Sequence, residues 1–255
     1  MRAQDIQIEK LLRFIPSEGL LRMGDARVLL VEAAAMGVLR KSIIDAVGQD
    51  LARRIFLRFG YSCGHEDALL ARKRYKWDSD KEWLLAGPRL HTLQGHVLGD
   101  ALDLRFDRKK GEFRMLARWR NSYEAAEHRR FFDVSGAPVC WSLSGYASGW
   151  ASAFFGQPIL CRETTCAGMG AVHCLAELRR AEDWDDLADE GLLDPRDIEQ
   201  VRAESLLEQA TSLAEEKERM YRQLFDSAAD MFFLRDPEDG RLVDVNPSAL
   251  RRLGY

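Results

Sequence analysis

The sequence predicts an α+β fold, in which blocks of helix and blocks of antiparallel strand alternate without a regular βαβ repeat. Three observations carry this. Between residues 25 and 75 apolar residues recur at helical spacing. Between residues 89 and 117 they fall into short β-prone pieces around a charged Asp-Arg-Lys-Lys-Gly turn. From residue 121 onward helix and strand signals alternate again around a cysteine-rich stretch.

In chain order, Ile6 to Glu18 reads as a short helix or strand that runs into a loop at Pro16. Asp25 to Val47 reads as a helix, because Val28, Leu29, Val31, Ala35, Met36, Leu39, Ile43, Ile44 and Val47 keep a helical period. Asp25 is its expected N-cap and Gly48 its stop. A second helix is expected over Asp50 to Phe59, ended by Gly60, and a third over His65 to Tyr75. Arg89 to Leu98 and Ala101 to Phe106 then read as strands, Asp107 to Gly111 as a hairpin turn, and Glu112 to Ala117 as the returning strand. Asn121 to Phe131 reads as a helix capped at Asn121 or Ser122. Gly145 to Phe155, small and aromatic, is a tightly packed helix. Strands at Pro158 to Glu163 and Val172 to Arg179 flank the last cysteines.

After Trp184 the composition turns acidic and polar, with a break at Pro195. Arg196 to about Leu224 is a helix in which Leu206, Leu213 and Met220 repeat at seven, with Ala210 and Leu224 between or beyond them. That is a short, imperfect heptad seam, equally readable as a coiled coil or an exposed linker helix.

Composition narrows the function. The chain has 255 residues, enough for one large or two smaller domains, and a formal charge of −4. That charge is too mild and too evenly spread to argue for direct contact with nucleic acid or an anionic membrane. The N-terminus MRAQDIQIEK is charged and lacks the apolar core of a signal peptide. No apolar run approaches a bilayer span, so a cytoplasmic, soluble protein is expected. There is no GxxxxGK[ST] phosphate loop, no Gly-x-Ser-x-Gly elbow and no HExxH. A regulatory, ligand-binding role is therefore expected over catalysis.

The richest stretch is CWSLSGYASGWASAFFGQPILCRETTCAGMGAVHC, Cys140 to Cys174, which holds four of the five cysteines. Thiolate, imidazole and carboxylate are the ligand types zinc takes. The spacing is not that of a standard zinc finger. Buried free thiols are the bland alternative, and disulfides fit a cytosolic chain least.

This stretch resembles the sensory region of the phenol-responsive, sigma-54-dependent transcription activators of aromatic catabolism. The words PVCW (Pro138 to Trp141), GYASG (Gly145 to Gly149), SAF (Ser152 to Phe154), Glu163-x-x-Cys166 and GMG-x-x-HC (Gly168 to Cys174) all match that family's 4-vinyl-reductase-type domain. The resemblance implies a structural zinc on Cys140, Glu163, Cys166 and Cys174, whose spacings of 23, 3 and 8 agree with the family pattern. It leaves Cys161 and His173 without a ligand role.

It also implies a phenol-recognition pair, His91 in PRLHTLQG and Trp119 before RNSYE. A neutral imidazole accepts a hydrogen bond from a phenolic hydroxyl, and an indole N–H donates one to the same oxygen. His65, His96 and His128 have no such match and read as surface or structural. Where the family's phenol sensors tend to carry Phe or Tyr, this chain has Leu84, Ala117, Ser144 and Cys161, while Trp150 stands where a Tyr is usual. The expectation is an enlarged pocket for a phenol with added bulk.

Leu224 to Tyr255 resembles the start of a PAS sensor domain: a leading helix, a strand, an Asp-Gly turn, a strand, then Asn246-Pro247 opening a helix. The implied organisation is 1–110 for the activator-of-aromatic-catabolism subdomain, 111–184 for the zinc-binding subdomain, 185–223 for the linker helix and 224–255 for the PAS start. The resemblance further implies a homodimer and an output domain in the same chain. A histidine kinase after the PAS start, or an accessory subunit of a tetrapyrrole-processing enzyme, are the alternative readings.

Overall fold

The chain begins with three short antiparallel strands, β1 (Leu12–Ile15), β2 (Leu20–Met23) and β3 (Ala26–Val28). A single 3-10 turn over Pro16–Glu18 joins the first two, and Gly19 closes it in the left-handed region at φ 64°. The computed structural model describes residues 1–24, 26–185 and 195–254; for 195–202, 204–206, 208 and 209 it describes backbone only. It divides into two units, Met1–Val201 and Arg202–Tyr255.

Helix α1 spans Ala33–Val47 and ends at Gly48, φ 81°. The expected start at residue 25 is therefore corrected, and Asp25 itself lies outside the described residues. Val28 and its neighbours satisfy a helical period, but residues 26–28 pair with β2 instead. Short apolar runs do not distinguish the two.

Helix α2 is one unbroken element, Gln49–Arg74, rather than two helices ended and restarted at Gly60 and Gly64. These glycines serve close approach. A Cβ on Gly60 would lie 2.1 Å from the Ser142 carbonyl oxygen, and one on Gly64 would lie 2.1 Å from that of Tyr146. The helix carrying those carbonyls, introduced below, returns the arrangement with Gly145 and Gly149, whose Cβ atoms would meet the carbonyl oxygens of Leu57 and Tyr61 at 2.1 and 2.0 Å. A helical glycine costs roughly 0.5–1 kcal/mol against alanine, which backbone-to-backbone packing offsets here.

Helix α3 covers Asp80–Leu93, with the Ser79 hydroxyl accepting from the Glu82 amide. The expected strand over Arg89 to Leu98 is thus overturned. Trp83, Leu84, Ala86, Gly87, Leu90 and His91 are buried at helical spacing. The helix also tolerates Pro88 within it. Proline lacks the N–H that would reach the Leu84 carbonyl, and the Trp150 indole N–H takes that acceptor instead at 3.1 Å.

Strands β4 (Leu98–Asp107) and β5 (Glu112–Arg120) form the expected hairpin, turned at Gly111 with φ 72°. Helix α4 (Tyr123–Phe131) starts at Ser122, whose hydroxyl accepts from the Ala125 amide. Helix α5 (Trp141–Phe155) is buried on nearly every face. Strands β6 (Ile159–Thr165) and β7 (Cys174–Arg180) complete an antiparallel sheet of order β4-β5-β7-β6. Phe113, Met115, Ala117 and Trp119 alternate onto its buried face, facing α3 and α5 across one core.

A buried ion pair locks α1 and α4 to the start of α5. Arg40 Nη1 donates to Glu124 at 2.7 Å and Nη2 to the Val139 carbonyl at 2.7 Å. Glu124 also accepts from the Ser142 and Leu143 amides, at the positive end of α5.

Most of α6 (Pro195–Ser227) belongs to the second unit, in which it is followed by a hairpin, β8 (Phe233–Arg235) and β9 (Leu242–Val245), and by α7 (Pro247–Leu253). Buried Asn246 ties these together. Its side chain donates to the carbonyls of Phe225 and Asp230 and accepts from the amides of Phe232 and Ala249. Of the expected heptad seam, Leu213 and Met220 are exposed on α6, and the side chain of Leu206 lies outside the described residues.

Candidate functional site

Two constructions share the core of the first unit. The first is a cluster of three buried thiols and a buried carboxyl. Cys140 precedes α5, Glu163 sits on β6, Cys166 follows it, and Cys174 opens β7. Their ligand atoms all lie within 4.8 Å of one another. The sulfurs stand 3.8 Å (Cys140–Cys166), 3.7 Å (Cys140–Cys174) and 3.9 Å (Cys166–Cys174) apart.

Backbone amides already point at this cluster. The Gly168 amide donates to the Cys166 sulfur and the Ala167 amide to that of Cys174, each at 3.3 Å. The Cys140 amide donates to one Glu163 oxygen at 3.0 Å. The other, Oε1, is buried without a partner. Burial pushes the Cys140 thiol and the Glu163 carboxyl well up. A cation among the four groups would meet the orphaned oxygen and favour the deprotonated forms, so the cluster can hold a metal ion. Cys161 and His173 are not part of this cluster.

The second construction is a cavity between α3, α5 and the sheet. Its cavity volume is about 40 Å³. Leu84, His91, Ala117, Trp119 and Trp150 line it, together with Val97, Met115, Tyr146 and Leu178, which the sequence did not single out. Ser144 and Cys161 do not line it. They lie buried behind it, where Ser148 accepts from the Cys161 amide at 2.9 Å and donates to the Ser144 carbonyl at 2.8 Å.

The walls are mostly apolar: Asp100, also in the lining, is engaged by Arg118 and Arg120, which leaves two polar groups to offer, His91 and Trp119. The His91 imidazole stacks on the Tyr146 ring at 3.8 Å and 16°, and on His96 at 5.0 Å. Burial pushes its pKa well below the ordinary value, with His96 adding to the shift, so His91 is a neutral ring with an acceptor nitrogen. Among the described residues, neither His91 nor the indole N–H of Trp119 makes a side-chain hydrogen bond. Trp150 is held differently. Its ring covers Gly87, where a Cβ would come within 2.7 Å, and its N–H is spent on Leu84.

One register joins the two constructions. Trp119 on β5 stands directly opposite Cys174 on β7, and Ala117 opposite Ala176, whose other neighbour is Glu163. Tyr146 was legible only as part of the GYASG word. Nothing in the sequence pointed to the Gly87-Pro88 cradle, since its partner Trp150 lies some sixty residues away.

Comparison with known proteins bears on both constructions. A family model described as an activator of aromatic catabolism matches residues 7–107, one for the 4-vinyl-reductase domain matches 119–180, and one for the PAS domain matches 219–255. The transcriptional regulatory protein XylR of Pseudomonas putida is 36% identical over 189 residues, which are 74% of this chain and 33% of XylR. The phenol regulator MopR of Acinetobacter guillouiae is 33% identical over 189 residues, 73% of this chain and 33% of MopR. The chain thus spans about a third of the length of these relatives. Among solved structures, the phenol-responsive sensory domain of the transcription activator PoxR, crystallised with phenol, is 38% identical with a TM-score of 0.68, covering 70% of this chain and 89% of that one.

Proposed function

Because this chain belongs to the family of aromatic-catabolism activators, carrying their sensory region, we propose that it is an effector-sensing module whose cavity binds a phenol-class compound. The observation that carries this is the pair of uncommitted polar groups on an apolar cavity. His91 is the acceptor for the phenolic hydroxyl and Trp119 the donor to the same oxygen. An apolar surround makes an unmet polar group costly, so compounds without the hydroxyl are rejected.

Leu84, Ala117 and Trp150 set the cavity's size, and Ala117 is the smallest of the three. Bound effector would be a phenol with added bulk, such as an alkylated, chlorinated or biaryl phenol. Ser144 and Cys161 stand one layer back, and their small side chains give the wall room to yield.

The cluster holds a structural zinc. A tetrahedral zinc with bonds of about 2.3 Å to sulfur sets its sulfurs about 3.8 Å apart, and the observed 3.7 to 3.9 Å separations support that occupant. Cys140, Glu163, Cys166 and Cys174 fill all four positions, leaving none for a reacting water. When bound, the ion would supply a cross-link between β6, β7 and the start of α5 rather than a reaction. Thiols kept reduced for this purpose fit a cytosolic protein.

The module works as a homodimer that passes effector occupancy to an output domain, by shifting the population of two arrangements. Exposed apolar residues at Phe14, Leu29, Leu30, Val31, Val38 and Leu39 support a second copy as their cover. Residues 1–110 and 111–184 make the sensor, 185–223 the connecting segment, of which 186–194 lie outside the described residues, and 224–255 the start of a PAS domain. The relatives XylR and MopR are regulators, and sigma-54-dependent transcription activation is the output this reading assigns.

Calorimetric titration of the zinc-loaded chain with phenol and with a biaryl phenol tests the assignment. Saturable binding of either, lost in His91→Ala, is expected. Ala117→Phe should weaken the biaryl compound more than about tenfold while leaving phenol nearly unchanged. No heat with either compound would remove the sensor reading, and equal losses for both would remove the claim of an enlarged pocket.

A further inference from the structure

The stacked pair in the cavity has an anchor outside it. Tyr146, which carries the His91 ring on its face at 3.8 Å, donates its hydroxyl to Asp67 Oδ2 at 3.0 Å. The same oxygen accepts from Gln94 Nε2 at 3.1 Å. Asp67 lies on α2, Gln94 closes α3 and Tyr146 belongs to α5, so three helices meet at one carboxylate.

The geometry leaves the tyrosine little choice. Gly64, one turn before Asp67, brings the α2 backbone against the Tyr146 carbonyl, and the ring is stacked on His91 on one side and Trp150 in the same column at 6.3 Å. Burial pushes the Tyr146 hydroxyl well up, so it keeps its proton and remains a donor. Asp67 also borders a separate cavity of about 210 Å³, lined by Leu11, Met23, Ala71 and Leu90. Its outer side is thus open while its inner oxygen is engaged.

We propose that Asp67 is a positioning residue for effector recognition: through the Tyr146 hydroxyl it fixes the ring on which His91 stacks, and so fixes the direction in which His91 accepts. The affinity consequence rests on the reading of the cavity as a phenol site; the orientation of His91 does not.

The test is a double-mutant cycle on the zinc-loaded full chain with phenol as the probe. Asp67→Ala and Tyr146→Phe should each weaken phenol about tenfold, and the double variant should be no worse than either, because both remove one shared bond. Asp67→Asn, whose amide oxygen still accepts from the tyrosine, should stay within about threefold of the parent. In the effector-free chain, the His91 ring protons should show the ring-current displacement of a stacked tyrosine, lost in Asp67→Ala and kept in Asp67→Asn.

Additive losses, parental affinity in Asp67→Ala, or an unmoved His91 spectrum in that variant would each overturn the proposal. If Asp67→Ala does not fold, Tyr146→Phe against Asp67→Asn decides it, since a tenfold loss in the first and none in the second is still required. A parent chain that ignores phenol would sink the cavity assignment instead, and the effector-free spectra would still judge Asp67.

Discussion

The thiol cluster and the cavity share α5 and β7, to which the cluster adds β6 and the cavity α3 and β5, yet they use them in opposite ways. At the cluster every position is closed: three sulfurs at 3.7 to 3.9 Å, amides aimed at two of them, and a carboxylate oxygen left for a cation. At the cavity the walls stop short of one another, and the two polar groups are left without protein partners. The cluster is where stability is concentrated, and the cavity is where it is given up. Trp119 opposite Cys174 puts the border between the two regimes at a single register pair.

Breaking the closed region should therefore have the larger effect. Cys166→Ala removes one of the four clustered groups and leaves the buried set incomplete. Since structural zinc sites carry binding free energies of about 10–16 kcal/mol in small domains, the expected result is loss of the metal together with cooperative unfolding, followed by metal analysis and circular dichroism. A metal-free variant that melts at the parental Tm would mean the cluster is an ordinary thiol core.

Next in size is the seam between α2 and α5, which is closed by backbone rather than by metal. Gly145→Ala would force a Cβ to within 2.1 Å of the Leu57 carbonyl oxygen. Neither helix can yield locally, because Gly60, Gly64 and Gly149 hold the same close approach on adjacent turns. A loss of about 3 kcal/mol in urea unfolding is expected. Little or no loss would show that the helices can slide apart, and that the seam does not set the height of the cavity above it.

How much of this was legible follows the same division. The cluster could be found because its four groups fall within one stretch of sequence whose words resemble a known family; the residue types alone left buried free thiols open. The β4–β5 hairpin and the Ser122 cap were legible for the same local reason. The cavity was not. His91 sits in RLHTLQGHVL, whose alternation resembles a strand, and only burial of Trp83, Leu84, Gly87 and Leu90 on one face reveals a helix. Gly60 and Gly64 looked like stops because glycine ends helices by its freedom, whereas here it is used for its missing side chain. Ser144 and Cys161 were read as wall residues, but they are not among the residues that line the cavity: Ser148 on α5 accepts from the Cys161 amide on β6 and donates to the Ser144 carbonyl.

Trp150→Phe sharpens the comparison at the border of the cavity itself. Phenylalanine keeps the aromatic cover over Gly87 but leaves the Leu84 carbonyl, freed by Pro88, with no donor. An unsatisfied buried acceptor costs about 1–3 kcal/mol, so a moderate fall in Tm is expected. The smaller ring should at the same time tilt selectivity toward bulkier phenols. If selectivity is unchanged while stability falls, Trp150 is structural and the opening is set elsewhere.

The smallest effect expected is that of pH on the cavity wall, and its sign follows from burial. His91 has its pKa held well below the ordinary histidine value by desolvation first and His96 second. Below about pH 6.5, the ordinary value, the unfolded chain takes up a proton that the folded chain refuses. Its contribution to stability is therefore complete above that pH and declines as the pH falls toward the folded value. The groups around it are His96, Tyr146 and, through Tyr146, Asp67. His96 is shifted down as well and adds to the decline. Asp67 is shifted up by burial, so its own protonation favours the folded state at still lower pH and offsets part of the loss. Urea unfolding at pH 7.5 and 5.5 should show the parent weaker at the lower pH and His91→Gln less affected. A parent whose stability is flat over that range would mean that water reaches the His91 ring, and the cavity would then be a hydrated cleft in which a phenolic hydroxyl gains little selectivity.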